Sequence, residues 1–202
     1  MTKVKICGIT RLEDAQVCAE LGADFLGFVF VPSSPRYIEP EKAAEIMAAV
    51  EDRRSRLSRQ AGLPALHFVG VFVDELIPVP GLHYVQLHGA ESDDDVCAAG
   101  LPAIKALRVG DVLPDTTAHP SAEWLLFDTG AGTGRRFDWS LLAMYPRTKP
   151  FFLAGGLGPD NVGAAISLVR PDGVDLSSGV ESAPGIKDHA KLRTLFERVR
   201  RT

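Results

Sequence analysis

KVKICGITRLEDAQVCAELGADFLGFVFV, residues 3–31, decides the fold. Its two ends, KVKIC (3–7) and DFLGFVFV (24–31), are short apolar runs suited to strands buried on both faces. Between them Leu12, Ala15, Cys18, Ala19 and Gly22 recur at spacings of three and four, the stripe of an amphipathic helix, and Gly22 is a fitting stop. Strand, helix and strand of these lengths make one βαβ unit with parallel strands.

The unit recurs along the chain. Apolar runs follow at 66–73, 83–88, 102–107, 123–128, 150–155 and 172–177, with helical stretches at 39–50, 91–99, 138–144, 159–169 and 188–200. Two connections break the rhythm. DELIPVPGL (74–82) holds two prolines in nine residues, and RVGDVLPDTTAHPSA (108–122) has turn chemistry without helical periodicity. The third and fifth helices are therefore expected to be missing or reduced to a turn. Eight strands with mostly helical crossovers predict an α/β (β/α)8 TIM barrel as a single domain over residues 1–202. A doubly wound open sheet fits eight strands less economically.

The bulk numbers exclude several classes. A net charge of −4 argues against an electrostatic footprint for nucleic acid, and the basic run EDRRSRLSRQ (51–60) reads as a solvated helix end. No stretch reaches the ~20 apolar residues of a membrane span, and MTKVKICGIT lacks the apolar core of a signal peptide. Cys7, Cys18 and Cys97 form no CxxC pair and are odd in number, which suggests neither a disulfide framework nor a zinc site. A reducing cytoplasm is the expected compartment. Monomer and homodimer both stay open.

In such barrels chemistry collects at the carboxyl ends of the strands. Those positions hold Cys7, VPSSPR (31–36), His88, Asp128, AGGLGPDN (154–161) and DLSSGVESAPGIKD (175–188). Gly155 and Gly156 follow the seventh strand, and Ser177, Ser178 and Gly179 the eighth, each pair of loops leading into a turn or helix. One such turn is ordinary strand-to-helix chemistry. Two on adjacent strands favour a phosphate held by bare backbone N–H groups. Cys7 and Asp128, on the first and sixth strands, would offer a ligand between them a base and an acid; each alone reads as a packed thiol or a structural carboxylate. Arg36, between Pro32 and Pro35, is placed to grip a carboxylate by two hydrogen bonds. GAGTGRRFDW (130–139) lacks GxGxxG spacing and reads as a flexible cover. Lys5 is a candidate for the barrel interior, and Lys187 for the start of the last helix.

KICGIT, GFVFVPSSPRYI, VGVFVDE, VQLHG, GTGRRFDW, AGGLGPDNV and DLSSGVESAPGIKD, in this order, together resemble the phosphoribosylanthranilate isomerase family of tryptophan synthesis. The resemblance spans nearly the whole chain. It implies an Amadori rearrangement of a phosphorylated small-molecule substrate without metal or organic cofactor. It also implies Cys7 as general base, Asp128 as general acid and Arg36 as partner of the anthranilate carboxylate. Gly156, Ser178 and Gly179, with Gly155, would grip the phosphate, and Asp175 would hold a ribose hydroxyl or stand as a structural carboxylate. LIPVPGLHY is shorter than the family's usual connection, so 74–82 is expected to be locally mobile. Two alternatives stay open: the related phosphoribosyl isomerase of histidine biosynthesis, whose family would place an aspartate where Cys7 stands, and a barrel that binds a phosphorylated ligand without turnover.

Overall fold

Eight parallel strands hydrogen-bond in sequence order and close on themselves in a computed structural model that describes residues 1–61 (side chains through 56), 65–129 and 138–202. They are β1 (Lys3–Cys7), β2 (Phe25–Val29), β3 (His67–Phe72), β4 (Tyr84–Leu87), β5 (Ala103–Arg108), β6 (Trp124–Asp128), β7 (Phe151–Leu153) and β8 (Gly173–Leu176). β8 returns to β1 with Lys5 opposite Asp175, so no sheet edge remains unpaired. The open-sheet alternative is thereby excluded.

Around the barrel run α1 (Leu12–Leu21), α2 (Pro40–Ala61), α3 (Asp93–Ala98), α4 (Val162–Val169) and α5 (His189–Arg200). Proline at the first position of α2 costs no hydrogen bond, because that N–H has no helical partner in any case. The helix runs on through the basic segment, where Arg53 pairs with Glu20 and Arg56 with Asp52 on an exposed face. α3 is only six residues long and is held by a reciprocal cap between Ser92 and Asp95.

The third and fifth connections carry no helix, as their prolines and turn residues predict. One expected helix is different: residues 139–144 form a 3₁₀ turn. Pro146 disfavours helical backbone at Tyr145, whose ring instead packs edge-on against Phe127 and Phe151 at 5.2 and 5.3 Å. Lys187 is a second correction. It lies in a small hairpin, β9 (Glu181–Ala183) with β10 (Ile186–Lys187), and α5 starts two residues later on an Asp188 cap. The segment 130–137, which carries the expected cover, lies outside the described residues.

Side chains alternate between the lumen and the helix layer. At the amino-terminal end the lumen is plugged by Phe25, Trp124 and Phe152, with Tyr84 alongside; Trp124 and Phe152 lie 4.6 Å apart. Lys5, Cys7, Asp128 and Asp175 stand above this plug, towards the carboxyl ends.

Where the third helix is missing, a buried ion pair ties the loops. Lys105 Nζ donates to Glu91 at 2.6 Å and to the Gly89 carbonyl at 2.8 Å, and Glu91 accepts from the N–H groups of Asp74 and Gly89. Burial pushes the Glu91 carboxyl up, but Lys105 and these N–H groups outweigh it and hold the group below its usual range. A depressed carboxylate contributes stability that is present above its unfolded value of ~4.3 and is lost as pH falls through the folded value. Lys105→Met is therefore expected to cost about 3 kcal/mol in urea unfolding at pH 7 by stranding Glu91, with a smaller deficit near pH 4. Equal deficits at both pH values would remove the ion pair from this account.

Candidate active site

The first thiol stands at the last residue of β1, and the strand then turns through Gly8 at φ 75°, a left-handed backbone that glycine tolerates. A Cβ at Gly8 would also lie 2.6 Å from Arg36 Cδ, so the bare residue lets Arg36 fold over the end of the strand. Cys7 itself is only 8% exposed and packs with Val29 and Val71 inside the mouth. The exposure expected of a thiol at a strand end is thus small. Burial is the main influence on it and pushes the thiol up, against the ammonium groups of Lys5 and Lys187, while the Asp175 carboxylate adds to the upward push.

Arg36 does not stand alone above the mouth. Its Nε donates to Glu181 at 2.9 and 3.2 Å and its Nη2 at 2.7 Å, a fork onto a buried carboxylate. Among the described residues Nη1 has no hydrogen-bond partner, which leaves that nitrogen available to a ligand. Glu181 also accepts from Lys187 Nζ at 2.7 Å, and that ammonium donates to the Cys7 carbonyl at 2.6 Å. Burial acts against the Glu181 carboxylate, yet Arg36 and Lys187 hold it below the usual range.

Asp128 ends β6 and is 9% exposed. It accepts a hydrogen bond from the Thr129 N–H at 2.7 Å, and His88 Nε2 stands 3.6 Å from its other oxygen. That contact passes over β5, so His88 and Asp128 both project into the lumen, the same opening that Cys7 enters. His83, five residues before His88, instead accepts from the Phe68 N–H and stacks on Phe68 in the outer layer.

The loops after β7 and β8 meet beside this opening. Gly155 and Gly156 adopt φ of 85° and 64°, and Asn161 bridges the Gly158 N–H and the Gly156 carbonyl. Ser178 and Gly179 open a 3₁₀ turn (Ser178–Val180). A Cβ at Gly179 would fall 1.9 Å from the Leu157 carbonyl oxygen, so the two loops can approach only as bare backbone. Gly156, Gly158, Ser178 and Gly179 line one cleft with Lys191. Amide-rich loops of this kind suit an anion. The Ser177 hydroxyl, at the end of β8, is buried and has no hydrogen-bond partner among the described residues.

Asp175 is occupied by Lys5 at 2.9 Å and has 10% of its side chain exposed, so its structural role is on view. Lys5 does face the barrel interior. Glu181 is the member that the sequence reading passed over, and Lys187 the one it placed at the start of the last helix instead. Their only signal was charge flanking the APG turn in a segment without helical period, easily taken for loop. His88 stood among the strand-end positions without an assigned role. Cys18 is buried on α1 and Cys97 exposed on α3. Among the described residues no group of three or more His, Cys, Asp or Glu is placed to hold a metal ion.

A family model described as N-(5′-phosphoribosyl)anthranilate isomerase matches residues 4–198. The N-(5′-phosphoribosyl)anthranilate isomerase of Geotalea uraniireducens is 44% identical over 213 residues, covering 99% of both chains. The crystal structure of phosphoribosyl anthranilate isomerase from Thermotoga maritima superposes with a TM-score of 0.85 at 39% identity over the whole of both chains. A second relative of known structure, also a phosphoribosyl anthranilate isomerase, was solved with reduced 1-(o-carboxyphenylamino)-1-deoxyribulose 5-phosphate; it is 38% identical, with a TM-score of 0.80 over both full chains. With a closed barrel, an inward-facing thiol and carboxyl group and a match along nearly its whole length, the chain belongs to the N-(5′-phosphoribosyl)anthranilate isomerase family.

Proposed function

We propose that the chain catalyses the Amadori rearrangement of N-(5′-phosphoribosyl)anthranilate to 1-(2-carboxyphenylamino)-1-deoxyribulose 5-phosphate in tryptophan synthesis. The observation that carries this reading is the shared opening: Cys7 and Asp128 project into one barrel mouth, flanked by the paired backbone loops and by the outer edge of Arg36. A ligand with a phosphate at one end, a carboxylate at the other and a sugar between matches that order of groups. Cys7 at the base position weighs against the histidine-pathway alternative.

In the proposed mechanism Asp128 protonates the ring oxygen, and the furanose opens to a Schiff base. The iminium acidifies the hydrogen at C2′, and the Cys7 thiolate removes it to give an enolamine. Tautomerisation to the ketone follows, and solvent returns a proton from Cys7 to Asp128. C2′ is oxidised as C1′ is reduced, so the electrons balance within the substrate. Each proton transfer contributes a factor of about 10²–10⁴. Phosphate held by Gly155, Gly156, Ser178 and Gly179 supplies remote binding energy that aligns the sugar. Arg36, steadied by Glu181, takes the anthranilate carboxylate. Asp175 is assigned to Lys5, with one edge left for a ribose hydroxyl. A cytoplasmic setting is proposed from the pathway alone; separately, no described helix is long and apolar enough to cross a membrane.

Substrate and product differ in fluorescence, so turnover can be followed directly. Cys7→Ser and Asp128→Asn are each expected to lower kcat by at least about 10²-fold while a product analogue still binds. Undiminished turnover in either variant would break the assignment, and retained binding without any wild-type turnover would favour the ligand-binding barrel. Arg36→Met is expected to raise KM about tenfold or more with a smaller effect on kcat. An unchanged KM would take Arg36 out of the site.

A further inference from the structure

Beneath Cys7 lies an ammonium that the mechanism above does not use. Lys5, two residues earlier on β1, has a wholly buried side chain, and its Nζ donates to Asp175 at 2.9 Å. The same ammonium lies close enough to Cys7 to favour its charged form. Their closeness is visible at Gly27, opposite Cys7 on β2: a Cβ there would lie 2.9 Å from Cys7 Sγ and 3.2 Å from Lys5 Nζ. The absent side chain at 27 is what lets sulfur and nitrogen share this space. Stability alone does not call for the arrangement, because a buried ion pair is often matched or bettered by apolar residues of similar volume.

We propose that Lys5 is a positioning residue for the thiol, a fixed cation that Asp175 anchors under Cys7 so that the thiolate needed to take the C2′ proton can form in a buried site. The proposal rests on reading Cys7 as the base. Four charged groups face the sulfur: Lys5 from β1, Asp175 from β8, Lys187 from β10 and Arg36 from the loop after β2. Lys187 is already committed to the Cys7 carbonyl and Glu181, and Arg36 to Glu181. Lys5 is the cation that shares the space at Gly27 with the sulfur itself, and of the cations it acts most strongly on the thiol. Burial raises the thiol overall, and Lys5 limits that rise. Asp175 has two opposed effects: it anchors the cation, and its own negative charge disfavours the thiolate.

The two charges therefore predict opposite shifts. Alkylation of Cys7 by iodoacetamide, followed by mass spectrometry from pH 6 to 10 in a Cys97→Ser background, reads the thiolate fraction without relying on turnover. Lys5→Met is expected to move the midpoint of the alkylation profile upward and slow alkylation at pH 7 by about tenfold, while Asp175→Asn, whose amide oxygen still anchors Lys5 but whose negative charge is gone, moves it downward. The ascending limb of the kcat/KM profile should move with the Lys5→Met midpoint. An unmoved midpoint, or shifts of one sign in both variants, would overturn the proposal. If Lys5→Met does not fold, the Asp175→Asn arm decides alone: a downward shift supports the charge network, and no shift or an upward one refutes it. Turnover retained by Cys7→Ser beside intact alkylation shifts sinks the base assignment; unmoved alkylation beside an inactive Cys7→Ser sinks the Lys5 proposal alone.

Discussion

The rim of the barrel hangs on one buried ammonium. Lys187 Nζ bridges the carbonyl of Cys7, at the end of the first strand, and the carboxylate of Glu181, which in turn holds the guanidinium of Arg36. Taking a charge out of water is costly, and the cost is offset only where every hydrogen-bonding site finds a partner. Glu181 is only six residues away, but the Cys7 carbonyl is 180 residues away, so the fold must close before the cation has both partners. The same closure that satisfies Lys187 brings Cys7, Arg36 and the loops after β7 and β8 to one opening.

A second buried ammonium, Lys5, repeats the device one layer lower. Lys5 stands in the lumen above an aromatic plug of Phe25, Trp124 and Phe152, and Lys187 at the rim beside α1. The plug excludes water from below and is built by dispersion and edge-to-face contact. Aromatic packing thus dominates the amino end of the lumen, while the groups assigned to chemistry stand at the carboxyl ends. Where the outer wall is thinned by the missing third helix, Lys105 and Glu91 supply a third buried pair, this time in the helix layer. It joins loops that a helix would otherwise have braced.

Much of the fold was legible because its signal is local. Each apolar run is continuous enough to be buried on both faces, and the helix between β1 and β2 shows its own stripe and its own glycine stop. Prolines at 78 and 80 cancelled the third helix in plain view. What misled was context: residues 139–144 have helical composition, yet Pro146 and the pull of Tyr145 into an aromatic cluster leave only a 3₁₀ turn. Of the site, strand-end position singled out Cys7, Asp128 and Arg36. The same rule listed His88 without a role, since its nearness to Asp128 exists only across a curved sheet.

Periodicity and turn chemistry by themselves determined the order of strands and helices, the absence of two helices, and which residues stand at the carboxyl ends. Those are properties of neighbours in the chain, where a spacing of two, three or four residues sets direction. Only tertiary structure decided the partners: Glu181 for Arg36, Lys187 for the Cys7 carbonyl, Asp175 for Lys5. These pairs lie 145, 180 and 170 residues apart. No local pattern encodes such contacts, because they arise when the last strand of the barrel meets the first.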